Sequence, residues 1–433
     1  MQLDSQAHAL NKTIQSANSA VYDLLSERGK AIFFPKQGIL SQSADAAGKT
    51  INATIGIALE DDGAPMVLNS LGSLVPATNN DGFSYAPSPG RPEFRAHWKE
   101  MLLRKNPGLA GKTFSLPVAT CALTHGLSMG GYLFIDSGDQ VISPDRYWEN
   151  YDLIFRNAYN GIITTFPTFT DAEQFNLPGL RERLLGTPAG KKIVILNFPN
   201  NPTGYTVTDG EAEQLRDLLV EAADAGNSIV VFIDDAYFGL VYEENILRES
   251  IFSLLCNAHE RLLAVKFDGP TKEDYVWGFR IGFMTFGIRN GDPALYQALE
   301  AKLAGAIRGN ISNASNISQV LLLNSYGSPT YDEEKTEKYA TLERRYRKIR
   351  TILSSHPEYG AFFQPLPYNS GYFMCIRILS GDAEAVRKRL LEKYSTGTIA
   401  QQDLLRIAFS STPLPMIETL FENCYRAAKE CAG

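Results

Sequence analysis

The chain has 433 residues, which is more than one ordinary hydrophobic core accommodates, so the sequence predicts two packed domains. Its composition, 44% hydrophobic and 21% charged, is typical of soluble globular proteins. The formal net charge is −7 and no basic run stands out, which argues against a surface that binds nucleic acid. No apolar stretch reaches the roughly 20 residues that a membrane-spanning helix needs.

Cysteine and histidine usage excludes further classes of protein. The five cysteines are scattered and form no Cys-x-x-Cys pair, so neither a disulfide framework nor a redox motif is expected. The five histidines lack the spacing of metal ligands, so no metal is expected. Residues 1–30 are polar and mixed, which is not typical of a signal peptide. We therefore expect a cytoplasmic protein.

The middle of the chain alternates short apolar runs with helical patterns. The apolar runs, which predict strands, are residues 140–143, 193–197, 229–234, 262–267 and 281–286. Residues 208–226 combine early acidic residues, apolar residues at helical spacing and a final glycine, which predicts a helix. Strands separated by helices predict an α/β fold, here a three-layer α/β/α large domain around a mostly parallel sheet, over residues 57–325.

The last third of the chain has a different pattern. Residues 331–356 predict a long charged helix, residues 372–378 and 404–409 predict short strands, and an amphipathic helix is expected after Pro415. This pattern predicts a smaller α+β domain over residues 326–433. Residues 1–56 are expected to pack with it as its N-terminal part.

Four polar motifs follow the predicted strands, and ligands of parallel sheets bind at the carboxyl ends of strands. Each has an ordinary structural explanation as well. The Asn-Asn-Pro-Thr-Gly run at residues 200–204 favours a turn, and the acid in Asp-Asp-Ala-Tyr at residues 234–237 is often a helix cap. The aromatic residues of Trp-Glu-Asn-Tyr at residues 148–151 commonly serve only packing. Lys272, alone in a loop, is usually a solvated charge, although burial near other cations makes a lysine nucleophilic.

The order of the motifs is more specific than any one of them. An aromatic at Trp148, Asn-Pro-Thr-Gly at 201–204, Asp-x-Ala-Tyr at 234–237, Lys272 and Gly-x-Arg-x-Gly at 278–282 together resemble the fold-type I pyridoxal-phosphate enzymes. The chain resembles class I/II aminotransferases in particular, over about residues 51–406. Residues 51–56 and the run that begins at Arg308 resemble the aspartate and aromatic aminotransferase branch.

The resemblance implies a role for each residue that would touch the reacting end of pyridoxal 5'-phosphate. Lys272 would hold the cofactor as a Schiff base and move the proton of the substrate α-carbon. Asp234 would pair with the pyridine nitrogen. Asn201 and Tyr237 would hydrogen-bond the ring 3-oxygen. Catalytic roles are thereby expected for Lys272, Asp234 and Tyr237.

The ring and the phosphate have their own expected contacts. Trp148 would stack on one ring face, with Tyr147 as the alternative because the spacing differs by one residue, and Ala236 would pack on the other. The phosphate ligands that the resemblance implies are Arg280, Thr271, the backbone amides of Gly126 and Leu127 at a helix N-terminus, and Tyr85 from the neighbouring subunit. Gly269 stands where relatives have a serine that contacts the phosphate, and Thr271 or Ser128 is expected to compensate.

The resemblance further implies how substrates would bind. Arg406 would hold the substrate α-carboxylate, together with Asn201 and Gly56. Arg308 would reach the distal carboxylate of a dicarboxylic substrate from across the interface of a homodimer. The expected reaction is reversible amino transfer from an L-amino acid to a 2-oxo acid by a ping-pong route, with dicarboxylic or aromatic substrates.

Three alternatives stay open at this point. The first is another fold-type I activity, a lyase or a decarboxylase, because such enzymes share the cofactor contacts. The second is a serine hydrolase, because Ser128 lies in a Gly-x-Ser-x-Gly pattern. The third is a non-catalytic sensor, which the absence of a preceding helix-turn-helix argues against. If Lys272 were not the nucleophile, Lys266 would be the next candidate.

Overall fold

The computed structural model describes residues 84–432 without a gap. It also describes residues 3–5, 8, 9, 11, 12, 15, 42, 43, 45–54, 57–64, 66 and 68–72. Gly56, one of the residues expected at the substrate, lies outside these ranges. Among the described residues, no helix is both long enough and apolar enough to cross a membrane.

The strands are numbered in chain order. They are β1 (Ile51–Asn52), β2 (Val118–Thr120), β3 (Gln140–Pro144), β4 (Ile162–Phe166), β5 (Lys191–Asn197), β6 (Ser228–Asp234), β7 (Leu262–Asp268), β8 (Gly282–Gly287), β9 (Phe363–Pro365), β10 (Phe373–Ile378), β11 (Thr396–Gly397), β12 (Ile399–Gln401) and β13 (Leu404–Ala408).

The α-helices are numbered in the same way. They are α1 (Asn69–Gly72), α2 (Pro92–Lys105), α3 (Ala122–Phe134), α4 (Leu177–Leu185), α5 (Asp209–Asp224), α6 (Phe252–Leu255), α7 (Pro270–Glu273), α8 (Pro293–Asn310), α9 (Asn316–Tyr326), α10 (Tyr331–Ser355), α11 (Ala383–Tyr394) and α12 (Ile417–Cys431). The predicted helix at residues 208–226 is α5, and a capping box explains its start. The Thr208 hydroxyl accepts a hydrogen bond from the Glu211 N–H (3.2 Å), and the Glu211 carboxylate accepts one from the Thr208 N–H (2.8 Å).

A seven-stranded sheet forms the centre of the large unit, in the order β2-β8-β7-β6-β5-β3-β4. Strands β3 to β7 are parallel, whereas β8 runs antiparallel to both of its neighbours. The predicted strands are therefore all present, and the α/β fold class is confirmed. The two edge strands, β2 and β4, are additional. Their local pattern was uninformative, since β2 has only three residues and Ile162 at the start of β4 is 51% exposed.

Both faces of this sheet are covered, which makes the unit three-layered. Alternate residues of a strand point to opposite faces. In β5, Val194 and Leu196 belong to one hydrophobic core, and Ile193 and Ile195 belong to the other. The first core includes side chains of α2 and α5, whereas the second includes side chains of α3 and α8. Strands buried on both faces explain the continuous apolar runs in the sequence.

The C-terminal part is a mixed α+β structure. Its sheet has the order β12-β13-β10-β9 and is antiparallel throughout. The N-terminal strand β1 pairs in parallel with β11, and the Gln42 side chain donates to the Ala400 carbonyl (2.9 Å). The described residues near position 50 therefore contact the C-terminal part of the chain. The domain boundaries at residues 56 and 325 stay predictions.

Candidate active site

A cavity of about 370 Å³ lies where the carboxyl ends of β5 and β6 meet the turn after β7. It brings together most of the polar residues that the motifs singled out. Its lining residues are Ser43, Thr54, Leu123, Thr124, Trp148, Asn197, Asn201, Asp234, Ala236, Tyr237, Lys272, Phe373 and Arg406.

Asp234, the last residue of β6, places a carboxylate at the buried end of the cavity. Its Oδ2 accepts a hydrogen bond from the Tyr151 hydroxyl (2.5 Å), and its Oδ1 accepts one from the Ala236 N–H (3.2 Å). Burial raises the pKa of the Asp234 carboxyl, although both hydrogen bonds and the Lys272 charge oppose that shift. A carboxylate in this position suits a cationic ring nitrogen. The sequence analysis gave Tyr151 no role, because the partners are 83 residues apart.

Lys272 lies in the short helix α7, directly after β7. Burial lowers the pKa of its amine to about 8, with the Arg280 charge acting in the same direction and Asp234 opposing. Its Nζ lies 4.9 Å from the centre of the Tyr237 ring. A lysine with a lowered pKa has more of its amine in the neutral, nucleophilic form.

Lys266, the alternative nucleophile, lies in a different environment. It is fully buried within β7, where it forms ion pairs with Asp235 and, at 3.4 Å, with Asp268. Burial alone would lower the pKa of Lys266, but the two carboxylates outweigh it and raise that pKa. A charged amine held by two acids is a structural group. The structure therefore favours Lys272.

Arg406, on β13, enters the cavity from the C-terminal part of the chain. Its Nη1 donates to the Asn201 side-chain carbonyl (3.1 Å), and its Nη2 donates to the Thr54 backbone carbonyl (3.2 Å). The guanidinium lies over the Phe373 ring, 4.4 Å from its centre. The buried Nε has no hydrogen-bond partner in the described part of the chain. A buried guanidinium with an unused donor suits a carboxylate ligand.

Asn197 orders the loop that carries Asn201, and the sequence analysis did not single it out. Its side-chain amide donates to the Asp234 backbone carbonyl (2.7 Å), and its side-chain carbonyl accepts from the Asn201 N–H (2.8 Å). This one side chain therefore connects the ends of β5 and β6. The apolar strand before it gave no local signal for that contact.

The helix that faces the cavity with its N-terminus is α3, and the prediction that Gly126 and Leu127 open it is wrong. The helix begins at Ala122, so the amides without an intrahelical partner belong to its first turn, which includes Leu123 and Thr124. Gly126 packs against Phe267 instead, because it lies in the second turn. The glycines at 126 and 130 suggested a later start than the helix has.

Trp148 and Ala236 both line the cavity, as expected of residues that would enclose a ring. Tyr147 is oriented elsewhere: its ring stacks on that of Tyr151 (6.1 Å between centres), and its hydroxyl donates to Asp152 (3.1 Å). The geometry therefore favours Trp148 as the residue that stacks on the cofactor. That role stays a prediction.

Several predicted phosphate ligands are not in the lining of the cavity. Arg280 is exposed, and its Nη1 donates to the Trp277 carbonyl (3.0 Å), yet its charge acts on Lys272. The Thr271 hydroxyl donates to the Ile281 carbonyl (3.2 Å), and the Ser128 hydroxyl lies 3.1 Å from that of Tyr159. Each of these hydroxyls therefore has a partner within the protein, and compensation for Gly269 by Thr271 or Ser128 stays a prediction.

Tyr85 and Arg308 lie on the surface of the chain. Tyr85 is 90% exposed, and Arg308, near the end of α8, donates to the Ser312 hydroxyl (3.2 Å). The histidines that a hydrolase would need are paired elsewhere, His259 with Asp224 and His356 with Glu358. Because both histidines that follow Ser128 in the sequence pair with other acids and the Ser128 hydroxyl lies next to that of Tyr159, the described residues give the hydrolase alternative no support.

The fold and the cavity define a class of protein, and comparison with known proteins gives the same class. The profile of the family described as "Aminotransferase class I and II" matches residues 68–423. The chain belongs to that family, and its fold is that of the fold-type I aminotransferases. Pyridoxal phosphate is the cofactor of this family and of this chain.

Two relatives illustrate the similarity at the level of sequence. The chain is 27% identical over 287 residues to an aspartate aminotransferase of Bacillus sp., which covers 64% of this chain and 67% of the relative. It is 33% identical over 202 residues to an aspartate/prephenate aminotransferase of Thermus thermophilus, 46% of this chain and 47% of the relative. These matches span about half to two thirds of the relatives.

Solved structures match over nearly the whole chain. An aminotransferase of Anaerococcus prevotii superposes with a TM-score of 0.82 at 23% identity and covers 95% of this chain and 100% of its own. A kynurenine aminotransferase of Pyrococcus horikoshii superposes with a TM-score of 0.76 at 17% identity and covers 95% of this chain and 98% of its own. At these identities the likeness establishes the fold.

The residues of the cavity fit pyridoxal phosphate. The buried Asp234 carboxylate suits the ring nitrogen, the Lys272 amine suits the aldehyde, and the first-turn amides of α3, including those of Leu123 and Thr124, suit the phosphate. Gly269 also has a steric explanation. A Cβ at this position would lie 2.7 Å from Gly282 Cα, so no side chain fits there.

Gly282→Ala tests whether the start of α3 binds the phosphate. A Cβ at position 282 would lie 2.7 Å from the Ala122 carbonyl carbon and 2.9 Å from the Leu123 nitrogen, so it must displace this turn. We expect about tenfold weaker binding of pyridoxal phosphate to the apoprotein, measured by absorbance titration. The control is Gly278→Ala, because nothing lies within 4 Å of that Cβ. Equal affinity for both variants would contradict the assignment.

The lowered pKa of Lys272 predicts how cofactor attachment depends on pH. Attachment needs the neutral amine, whose pKa is about 8 instead of its usual 10.5. The rate at which pyridoxal phosphate becomes reducible by borohydride on the apoprotein should rise about tenfold per pH unit below pH 8 and then level off. A rate that still rises beyond pH 10 would show an ordinary lysine.

Proposed function

We propose that the chain is an aminotransferase that moves an amino group between an L-amino acid and a 2-oxo acid. The observation that carries this proposal is one cavity lined by three complementary groups. Lys272 offers a weakly basic amine, Asp234 offers a buried carboxylate, and Arg406 offers a guanidinium with an unused donor. Together they suit a carbonyl carbon, a cationic nitrogen and a substrate carboxylate.

The cofactor, when bound, supplies an aldehyde that condenses with primary amines and a ring that accepts electron density from the α-carbon. Arg406 binds the α-carboxylate of the substrate, and its contact with Asn201 fixes the direction of the guanidinium. Lys272 would take the proton of the substrate α-carbon on its Nζ and give it up again on the cofactor side of the substrate nitrogen. Asp234, held by the Tyr151 hydroxyl, would pair with a cationic ring nitrogen next to it. Trp148 and Ala236 line the cavity and would contact the cofactor ring.

Lys272→Ala tests this assignment directly. Because the substitution removes the amine that moves the proton, we expect kcat for transamination to fall by roughly 10³–10⁴-fold. Formation of the 2-oxo acid measures the rate, whereas release of ammonia would indicate a lyase. In the wild-type protein, borohydride should fix the cofactor on the peptide that contains Lys272. A near-normal rate in the variant would place the reacting amine elsewhere.

We also infer a cytoplasmic homodimer that shares its active sites. Tyr85, exposed on the protomer, would reach the phosphate bound by the partner, as the family resemblance implies. Arg308 is exposed near the end of α8, where it is free to face a second subunit. The relatives named as aspartate, prephenate and kynurenine aminotransferases support dicarboxylic or aromatic substrates for this chain.

Arg308→Ala tests the dicarboxylate assignment. If the guanidinium pairs with the distal carboxylate across the interface, kcat/KM for aspartate and glutamate should fall about a hundredfold while that for aromatic donors stays within about threefold. The matched control is Lys302→Ala, which removes another exposed cation of the same helix. Unchanged kcat/KM with both acidic substrates would refute the role of Arg308.

A further inference from the structure

The segment that carries Lys272 continues into two buried acids, Glu273 and Asp274. Helix α7 has only four residues, which is too few for a stable isolated helix. Its backbone is held by the Asp274 N–H, which donates to the Pro270 carbonyl (2.8 Å), and by the Tyr372 hydroxyl, which donates to the Lys272 carbonyl (3.2 Å). The position of Lys272 therefore depends on side chains from other parts of the chain.

Two lysines neutralise the two acids. Lys335, in the first turns of α10, lies 3.1 Å from Glu273 Oε1 and 2.9 Å from Asp274 Oδ1. Lys105, at the end of α2, forms an ion pair with Glu273 from the other side. Burial alone would raise the pKa of Glu273, but these lysines hold it below its usual value.

Two tyrosines complete the coordination of Asp274. The Tyr331 hydroxyl donates to its Oδ1 (2.7 Å), and the Tyr326 hydroxyl donates to its Oδ2 (3.1 Å). Burial raises the pKa of both hydroxyls, so they stay protonated donors. Asp274 itself is fully buried, and each of its two carboxylate oxygens accepts a hydrogen bond from a tyrosine of α9 or α10. A buried acid that loses such partners is strongly destabilised.

Lys335 is the partner that both acids share. Without it, Glu273 keeps Lys105, and Asp274 keeps only neutral donors, so two adjacent carboxylates would face each other with one counter-ion. Their repulsion in a buried site acts on the residues next to Lys272. Displacement of a reacting group by about 1 Å can slow a reaction by about a hundredfold.

We propose that Lys335 is a positioning residue for Lys272: by pairing with Glu273 and Asp274, it fixes the turn that presents the Lys272 amine to pyridoxal phosphate. This inference rests on the proposed role of Lys272. It assigns a function to the contact between α10 and residues 270–274, which we call the active-site turn. The contact itself lies outside the cavity. Lys335 touches neither cofactor nor substrate, and it acts only through these two acids.

The test compares two lysines of the same helix. Lys335→Met removes the counter-ion of the active-site turn. Lys338→Met is the matched control, because Lys338 has a similarly small exposed fraction (14% against 20%) and pairs with Glu60 instead. Lys335→Arg keeps the charge. For each apoprotein, borohydride trapping measures the rate at which pyridoxal phosphate attaches to Lys272, and thermal unfolding measures stability, both without substrate.

We expect Lys335→Met to attach the cofactor about tenfold more slowly, Lys335→Arg to stay within about threefold of the wild type, and Lys338→Met to attach it at the wild-type rate. Wild-type attachment in Lys335→Met, or equal slowing in Lys338→Met, would overturn the proposal. If Lys335→Met does not fold, Tyr326→Phe tests the proposal instead, because it removes only one hydrogen-bond donor to Asp274. That variant should slow attachment about threefold, and a wild-type rate would overturn the proposal. A wild-type protein that never labels Lys272 would instead overturn the proposed function.

Discussion

The buried carboxylate of Asp234 at the end of β6 is the constraint around which the site is organised. A carboxylate without solvent must have hydrogen-bond donors and a nearby positive charge. Tyr151 and the Ala236 N–H are the donors, and the Lys272 amine is the positive charge. The aromatic segment after β3, the loop after β6 and the turn after β7 are therefore all fixed relative to one group. A cationic ring nitrogen next to Asp234 would add a further positive charge beside the buried carboxylate.

Side chains alternate between the two faces of a strand, which explains why neighbouring residues at the end of β6 contact different groups. Asp234 and Asp235 are adjacent, so their side chains point to opposite faces at the end of β6. Asp234 faces the cavity, whereas Asp235 pairs with Lys266 and accepts from the Ser250 hydroxyl (2.5 Å). Burial by itself lowers the pKa of both lysines, Lys266 and Lys272, and the charges next to each lysine decide the direction of the net shift. Two nearby carboxylates raise the pKa of Lys266 and keep it charged. Lys272 has only one carboxylate nearby, and the charge of Arg280 helps to lower its pKa.

The sequence was informative where short motifs coincide with strand ends. Lys272, Asp234, Asn201 and Tyr237 come from such motifs, and the parallel sheet brings them into one cavity because its carboxyl ends share an edge. The local sequence pattern did not give the correct structure where it fitted more than one interpretation or where the contacting residue was far away in the sequence. The small residues at 126–130 resembled the opening of a helix that in fact begins at Ala122, with its open amides there.

Contacts between distant segments had no signal in the sequence. Lys335 and Glu273 are 62 residues apart, and the charges of α10 look like an ordinary solvated helix face. The same holds for Asn197, whose polar side chain ends an apolar strand and gives no indication that it connects two loops. Burial is the missing information, because it converts a common surface residue into a group that must be paired. A single sequence contains the residue types but not these distances.

The C-terminal part of the chain reaches the active site at two separate places. Arg406 extends from β13 to Asn201, and both residues line the cavity. The Tyr372 hydroxyl, just before β10, donates to the carbonyl of Lys272, which also lines the cavity. Because β10 and β13 are paired strands of one sheet, a shift of that sheet changes both distances together. The surroundings of the Arg406 guanidinium and the position of the Lys272 backbone therefore depend on a single structural element.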